Sequence, residues 1–231
     1  LRARALLPSG PLGERQLAQL RAQVQPYAEA FVQWRGARES NSEAFELELA
    51  GVRLHGRIHD IYGDDLPRFR LDKLHGPSQI THGLDWLVMS ALGRRSRLFQ
   101  FPDPGEGPGP LPREPVDAEQ ARAALVALLQ LRAQGLREPL PFAPRAGWLF
   151  YDGEQSLEAG GKTRANGKSP WQRAHDQWQA DRGYSEGGTA SARLALRGRN
   201  PFEDEALGEE FRAIAGIVFD AVVHGREGQG A

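Results

Sequence analysis

Between Phe45 and His59 the chain alternates. Phe45, Leu47 and Leu49 are interleaved with Glu46 and Glu48, and Val52, Leu54 and Ile58 are interleaved with Arg53, His55, Arg57 and His59. A period of two is the mark of strands with one covered face, and no helix gathers such a set on one side. Taking Ala50-Gly51 as a two-residue turn sets Leu49 against Val52, Glu48 against Arg53 and Leu47 against Leu54. Both apolar sets then share one face, so the fold must contain an antiparallel hairpin with a second layer packed against it.

The flanking sequence supplies that layer. Leu17, Leu20, Val24, Tyr27, Phe31 and Trp34 recur at spacings of three and four, an amphipathic helix in which Pro26 predicts a kink or a restart. After a turn at Tyr62-Gly63-Asp64-Asp65, Leu66-Pro67-Arg68-Phe69-Arg70-Leu71 reads as a third strand with Arg68 and Arg70 on one face and Phe69 on the other. A helix from about Gln79 carries Ile80, Leu84, Leu87, Val88 and Ala91, with Gly93 placed to stop it in a left-handed conformation. Ser96 to Phe101 is a candidate fourth strand. Asp117 with Gln120 reads as a capping box opening a helix through Leu125, Leu128 and Leu129, closed near Gly135. Ser169-Pro170-Trp171-Gln172 opens another, and Asn200-Pro201-Phe202-Glu203 repeats the device. A last helix buries Leu207, Phe211, Ile214, Val218, Phe219 and Val222, with a frayed tail from Gly225. The Gly- and Pro-rich stretches from Pro102 to Pro115 and from Gly153 to Ser169 are predicted as mobile loops. The order gives an α/β fold with helical additions, one domain over residues 1–231 with its core to about 135 and the additions from about 136.

Composition narrows the functional classes. A net charge of -1 gives no whole-molecule footprint for nucleic acid, so any such contact requires a local basic face. With no cysteine, disulfides, thiolate metal sites and cysteine nucleophiles are excluded, which fits a reducing, cytoplasmic setting. No apolar run approaches the roughly 20 residues of a bilayer span, and no membrane association is expected. The chain begins Leu1-Arg2-Ala3-Arg4 in what reads as a strand already under way through Leu6 and Leu7, as expected of a fragment of a longer protein.

The element order resembles the core of the PD-(D/E)XK nucleases at two segments. Leu54-His55-Gly56-Arg57-Ile58-His59-Asp60-Ile61 matches a family strand reading Gly-x-Ile-Asp-Arg-Ile, with the family Asp falling on His59. Arg68-Phe69-Arg70 matches a family Asp-Tyr-Lys whose acid binds metal and whose lysine positions water. Magnesium needs hard anionic oxygen ligands, which neither arginine nor histidine offers. The resemblance therefore implies a site that holds no metal and no other cofactor, with His59, Arg68 and Arg70 as its degenerate positions. Asp60, Asp64 and Asp65 lie nearby, Asp60 on the opposite strand face to His59 if the alternation holds.

Leu7-Pro8-Ser9-Gly10-Pro11-Leu12-Gly13, Leu66 to Arg70, Arg97-Leu98-Phe99, Gly135-Leu136-Arg137-Glu138-Pro139-Leu140 and the helix start after Arg193-Leu194 are similar to the RecC C-terminal domain family. RecC is the gamma subunit of exodeoxyribonuclease V, the RecBCD helicase-nuclease. The resemblance implies an inactive nuclease-like domain that works in double-strand break repair through RecB, RecD and double-stranded DNA ends or forks, contributing strand separation and assembly. Two other readings stay open: an active magnesium-dependent nuclease using acids such as Asp60 and Asp72, and a protein-interaction module without DNA contact.

Candidate DNA-binding residues are Arg53, Arg57, Arg68, Arg70, Arg94 and Arg95, of which Arg53, Arg57, Arg68 and Arg70 share a strand face with His55 and His59. An ordinary ion-paired surface is the favoured explanation of that face, because Glu46 and Glu48 stand opposite. Arg94, Arg95 and Arg97 also suit a helix C-terminus. Gly160-Gly161-Lys162-Thr163 lacks the first glycine of a phosphate loop, Ser156 standing in its place. His82, His175 and His224 show no metal spacing, and Trp148, Trp171 and Trp178 read as packing residues.

Overall fold

The computed structural model describes residues 8, 10–70, 74–101, 110–161, 167–179 and 184–228. The strand expected through Leu6 and Leu7, the acid Asp72, the loop residues 102–109, and Lys162 and Thr163 lie outside the described residues.

The hairpin forms as the alternation requires. Strands β1 (Ser40–Leu49) and β2 (Val52–Tyr62) pair antiparallel with Leu49 opposite Val52, Glu48 opposite Arg53 and Leu47 opposite Leu54. Ala50 and Gly51 both adopt positive φ (49° and 74°), the turn geometry whose twist matches that of the strands it joins. Leu47, Leu49 and Ile58 are buried.

Strand β3 (Leu66–Phe69) pairs in parallel with β4 (Leu98–Phe101), and β4 pairs antiparallel with β5 (Leu111–Arg113). The three-stranded sheet meets the hairpin at a bridge between Tyr62 and Asp65. Strand β5 falls within the stretch expected to be loop; Pro112 weakened its strand signal, yet proline is tolerated where a strand forms a sheet edge.

Helix α1 (Pro11–Arg35) runs without interruption through Pro26. Only its C-terminal half is well seated: Phe31 and Trp34 pack on Tyr62, Phe69, Phe99 and Phe101. Helix α2 (Gly76–Ala91) begins earlier than its apolar pattern showed, because His75 caps it by accepting from the Ser78 N–H. Trp86 and Leu87 are fully enclosed, Leu84 is exposed, and Gly93 takes the left-handed conformation expected of it (φ 75°). Helix α3 (Ala118–Gly135) starts at Asp117, whose side chain accepts from the N–H groups of Glu119 and Gln120.

The C-terminal helices differ more from expectation. Helix α4 (Pro144–Glu158) occupies the first part of the Gly153 to Ser169 stretch. Gly153 is not a breaker there: a Cβ at that position would lie 2.7 Å from the Pro170 ring, so glycine permits close approach of α5 (Pro170–Trp178). Helix α5 has the reciprocal Ser169–Gln172 capping box read from the sequence. A short helix α6 (Ala190–Ala195), capped by Thr189, follows. The Asn200 segment forms a turn rather than a helix start, and α7 (Glu205–Phe219) is capped by Asp204, which accepts from the Leu207 N–H. Asp204→Ala should therefore lower stability by about 1 kcal/mol in a urea titration. Leu207, Phe211, Ile214, Val218 and Phe219 are buried, and a π-helical turn at Asp220–His224 carries buried Val222. Gly225 is packed against Val116 and Trp86 rather than frayed.

The architecture is mixed α/β, small sheets flanked by helices with further helices at the C-terminal end. One core joins the hairpin and sheet to α2 and α3, and a second forms around α7. No helix among the described residues is long and apolar enough to cross a membrane.

Candidate functional site

The strand order brings the motif segments together at the junction of hairpin and sheet. A crevice of about 560 Å³ there is lined by Arg57, His59, Asp60, Arg68, Thr81, His82 and Asp85, with Phe31, Tyr62 and Phe69 on its apolar side. His59 and Arg68 thus share one cavity.

The alternation expected through His59 and Asp60 fails. Asn41 pairs with Ile61 and Glu43 with Ile58, so the single residue Ser42 faces both His59 and Asp60. This is a β-bulge, and Asp60 takes it up with a left-handed backbone (φ 56°). The bulge lets Ile58 and Ile61, three residues apart, both enter the core, while His59 and Asp60 are exposed. The two faces assigned to His59 and Asp60 by simple alternation are therefore not those of a regular strand.

Arg68 is committed within the chain. Its Nε and Nη2 donate to Asp85 Oδ2 at 3.0 and 2.7 Å, Nη2 also reaches the His59 carbonyl at 3.2 Å, and Nη1 donates to the Pro67 carbonyl. Its side chain is 13% exposed and that of Asp85 36%. The crevice thus holds a closed guanidinium-carboxylate pair where a cation would need free carboxylates. Asp65 is also engaged: it is buried, and Arg38 and Arg97 donate to both its oxygens. Among the described residues no group of three or more His, Asp or Glu is arranged to hold a metal ion.

Behind the crevice runs a buried polar seam that sequence reading missed. Arg68 on β3 pairs with Gln100 on β4, and Gln100 Nε2 donates to Gln79 Oε1 of α2 at 3.1 Å. Arg113 on β5 donates to the Val222 carbonyl at 2.6 Å, to Gln100 Oε1 at 3.2 Å and to Gln79 Oε1 at 3.4 Å, and its guanidinium lies over the Trp86 ring. Burial pulls Arg113 down to about 10. The His82 ring faces the same seam, 3.4 Å from Gln100 Nε2. Burial first, then the charges of Arg68, Arg113 and Arg70, brings it down to about 4, so it is neutral at physiological pH. One signal was available: Gln79, His82 and Asp85 recur every three residues along the helix that carries Leu87, Val88 and Ala91, which lines polar groups up on one face.

The other candidate arginines are dispersed. Arg53 pairs with Glu46 at 3.4 Å in the open, Arg57 donates to Ser42 Oγ, and Arg94 is bonded to Glu43 at 2.7 and 3.0 Å. Arg95 is exposed beyond the end of α2. The tryptophans pack: Trp148 on Phe219, and Trp171 and Trp178 on Phe202. Gly160 follows α4 rather than a strand, which is not the setting of a phosphate loop.

Residues 1–155, well over half the chain, match the family model described as the RecC C-terminal domain. The chain belongs to that family. The RecC family is part of RecBCD, the exodeoxyribonuclease V complex of DNA repair. The matched region takes in the hairpin, the sheet, α2, α3 and nearly all of α4, while α5 to α7 lie beyond it. Comparison with curated proteins found no match.

Proposed function

We propose that this RecC-family domain is a non-catalytic PD-(D/E)XK-type unit of the cytoplasmic RecBCD assembly, contributing DNA contact, strand separation and the holding of RecB and RecD. The observation that carries the reading is the Arg68–Asp85 pair. Of the crevice acids, Asp85 is already neutralised by a guanidinium fixed through four hydrogen bonds, and Asp60 stands on an exposed bulge. A divalent ion brought there meets a mutually neutralised guanidinium-carboxylate pair instead of a cup of free carboxylates. In this reading Arg68 and the His59 carbonyl are tied up within the chain, and the domain serves by its surfaces.

The purified chain is expected to leave linear duplex DNA intact in millimolar Mg²⁺ or Mn²⁺, and its melting temperature should not rise with either ion, since a ligand that binds only the folded state must raise it. Metal-dependent cleavage lost on Asp60→Ala or Asp85→Ala would instead establish an active nuclease. Retained binding of RecB or RecD with no duplex or fork binding at low salt would establish the interaction-module reading.

A further inference from the structure

The arginines around the degenerate crevice are mostly paired within the chain, which raises the question of where a phosphate chain would find open guanidinium groups. The sequence Arg193-Leu194-Ala195-Leu196-Arg197-Gly198-Arg199 places three arginines in seven residues with no acid among them. In the structure Leu196 is the anchor of this segment: it is 3% exposed and packs in the cluster of Trp178 and Phe211. The residues around it turn outward, with Arg193, Arg197 and Arg199 exposed and Leu194 82% exposed.

The backbone is specialised to make this turn. Gly198 N–H closes onto the Arg193 carbonyl at 3.1 Å and Arg199 N–H onto that of Leu196 at 3.0 Å. Arg197 and Gly198 are successive left-handed residues (φ 52° and 77°). A residue with a Cβ is disfavoured at such φ, so glycine at position 197 would be the more comfortable choice for the fold alone. None of the three arginines has an ion pair among the described residues, in contrast to Arg53, Arg68 and Arg94.

Beside the turn lies a polar crevice of about 540 Å³, lined by Arg193, Arg199, Gln179, Ser185, Asn200 and Glu203 among others. Its acid, Glu203, is already satisfied at Oε1 by the side-chain amides of Asn200 and Gln179, at 2.9 and 3.2 Å. Glu210 is a further acid that feels the charge of Arg199. Arg193 and Arg199 face the crevice while Arg197 stands on the adjoining turn, an arrangement suited to successive phosphates rather than to one small anion.

We propose that the turn closing α6, through Arg193, Arg197 and Arg199, is a contact for the phosphodiester chain of DNA. The proposal rests on the DNA-contact reading above and assigns it to a surface outside both the degenerate crevice and the region matched to the family.

The test is fluorescence anisotropy with the full chain on single-stranded and duplex oligonucleotides over a range of salt. The Arg193→Ala/Arg197→Ala/Arg199→Ala variant should lose about tenfold in affinity at moderate salt and show a salt slope smaller by about 2. Arg53→Ala/Arg57→Ala/Arg94→Ala should change it less than about threefold. Arg197→Gly keeps the turn and removes one guanidinium, so it should weaken binding while the protein melts no lower than the parent. Loss on both DNAs marks a general phosphate contact, and loss on one identifies the strand state held. Parent-like binding by the triple variant overturns this assignment alone. Absence of DNA binding by the parent chain overturns the DNA-contact reading and this assignment with it.

Discussion

Arg113→Met is expected to destabilise the domain by about 2–4 kcal/mol, a fall of roughly 5–15 °C in melting temperature for a chain of this size. The guanidinium ties the Val222 carbonyl in the π-helical turn to Gln79 on α2 and Gln100 on β4, which are themselves hydrogen-bonded to each other. A thioether fills similar space and donates to none of them, so Gln100 Oε1 and the Val222 carbonyl lose this donor in an enclosed setting. Arg113→Lys should recover only part of the loss, because one ammonium on a flexible stem cannot span the positions a planar fork reaches. A melt of Arg113→Met within a degree of the parent would show that the seam contributes little to stability.

Acid should weaken the fold through His82. Its pKa is 6.5 when solvated and about 4 when folded, depressed by burial and by neighbouring arginines. Above pH 6.5 the ring is neutral in both states. As pH falls below that value the unfolded chain takes up a proton that the folded chain refuses until about pH 4, so stability drops across this window. The full loss is about 3 kcal/mol by linkage. Urea titrations at pH 7 and pH 4.5 measure it, and His82→Asn should flatten the slope over that interval. An unchanged slope in His82→Asn would assign the acid response to other groups.

The parts of the fold legible in the sequence are those decided by neighbours along the chain. The Ala50-Gly51 turn and its register followed from a two-residue period, and the buried face of α7 from a helical one. The bulge at His59 and Asp60 was not legible, because an extra residue in a strand leaves no mark when an aspartate, rather than a glycine, takes the left-handed position. Helix α4 was hidden by Gly147 and Gly153, whose reason lies in close approach to Phe142 and Pro170 rather than in helix propensity. The start of α7 was displaced by Asn200-Pro201, which has the composition of a cap but forms a turn just before the true cap at Asp204.

The site was legible in its unusual residues and not in their partners. His59 and Arg68 stood out against a motif, but Asp85 lies 17 positions beyond Arg68 and Arg113 lies 109 positions before Val222. Only folding brings those pairs together, so their roles appear in three dimensions alone.

The Arg68–Asp85 pair also bears on the mutational routes open to this chain. Arg68→Asp, the single change that comes nearest to an acidic centre, sets two carboxylates against one another in a partly enclosed crevice and removes the donor to the His59 carbonyl. Changing Asp85 first strands a largely covered guanidinium without a counter-charge. Each intermediate is expected to be less stable than the present pair, so a purely acidic crevice requires several substitutions at once. The pair works as a ratchet: substitutions on the surface around the crevice leave it intact, while selection on folding alone holds its centre in the paired state.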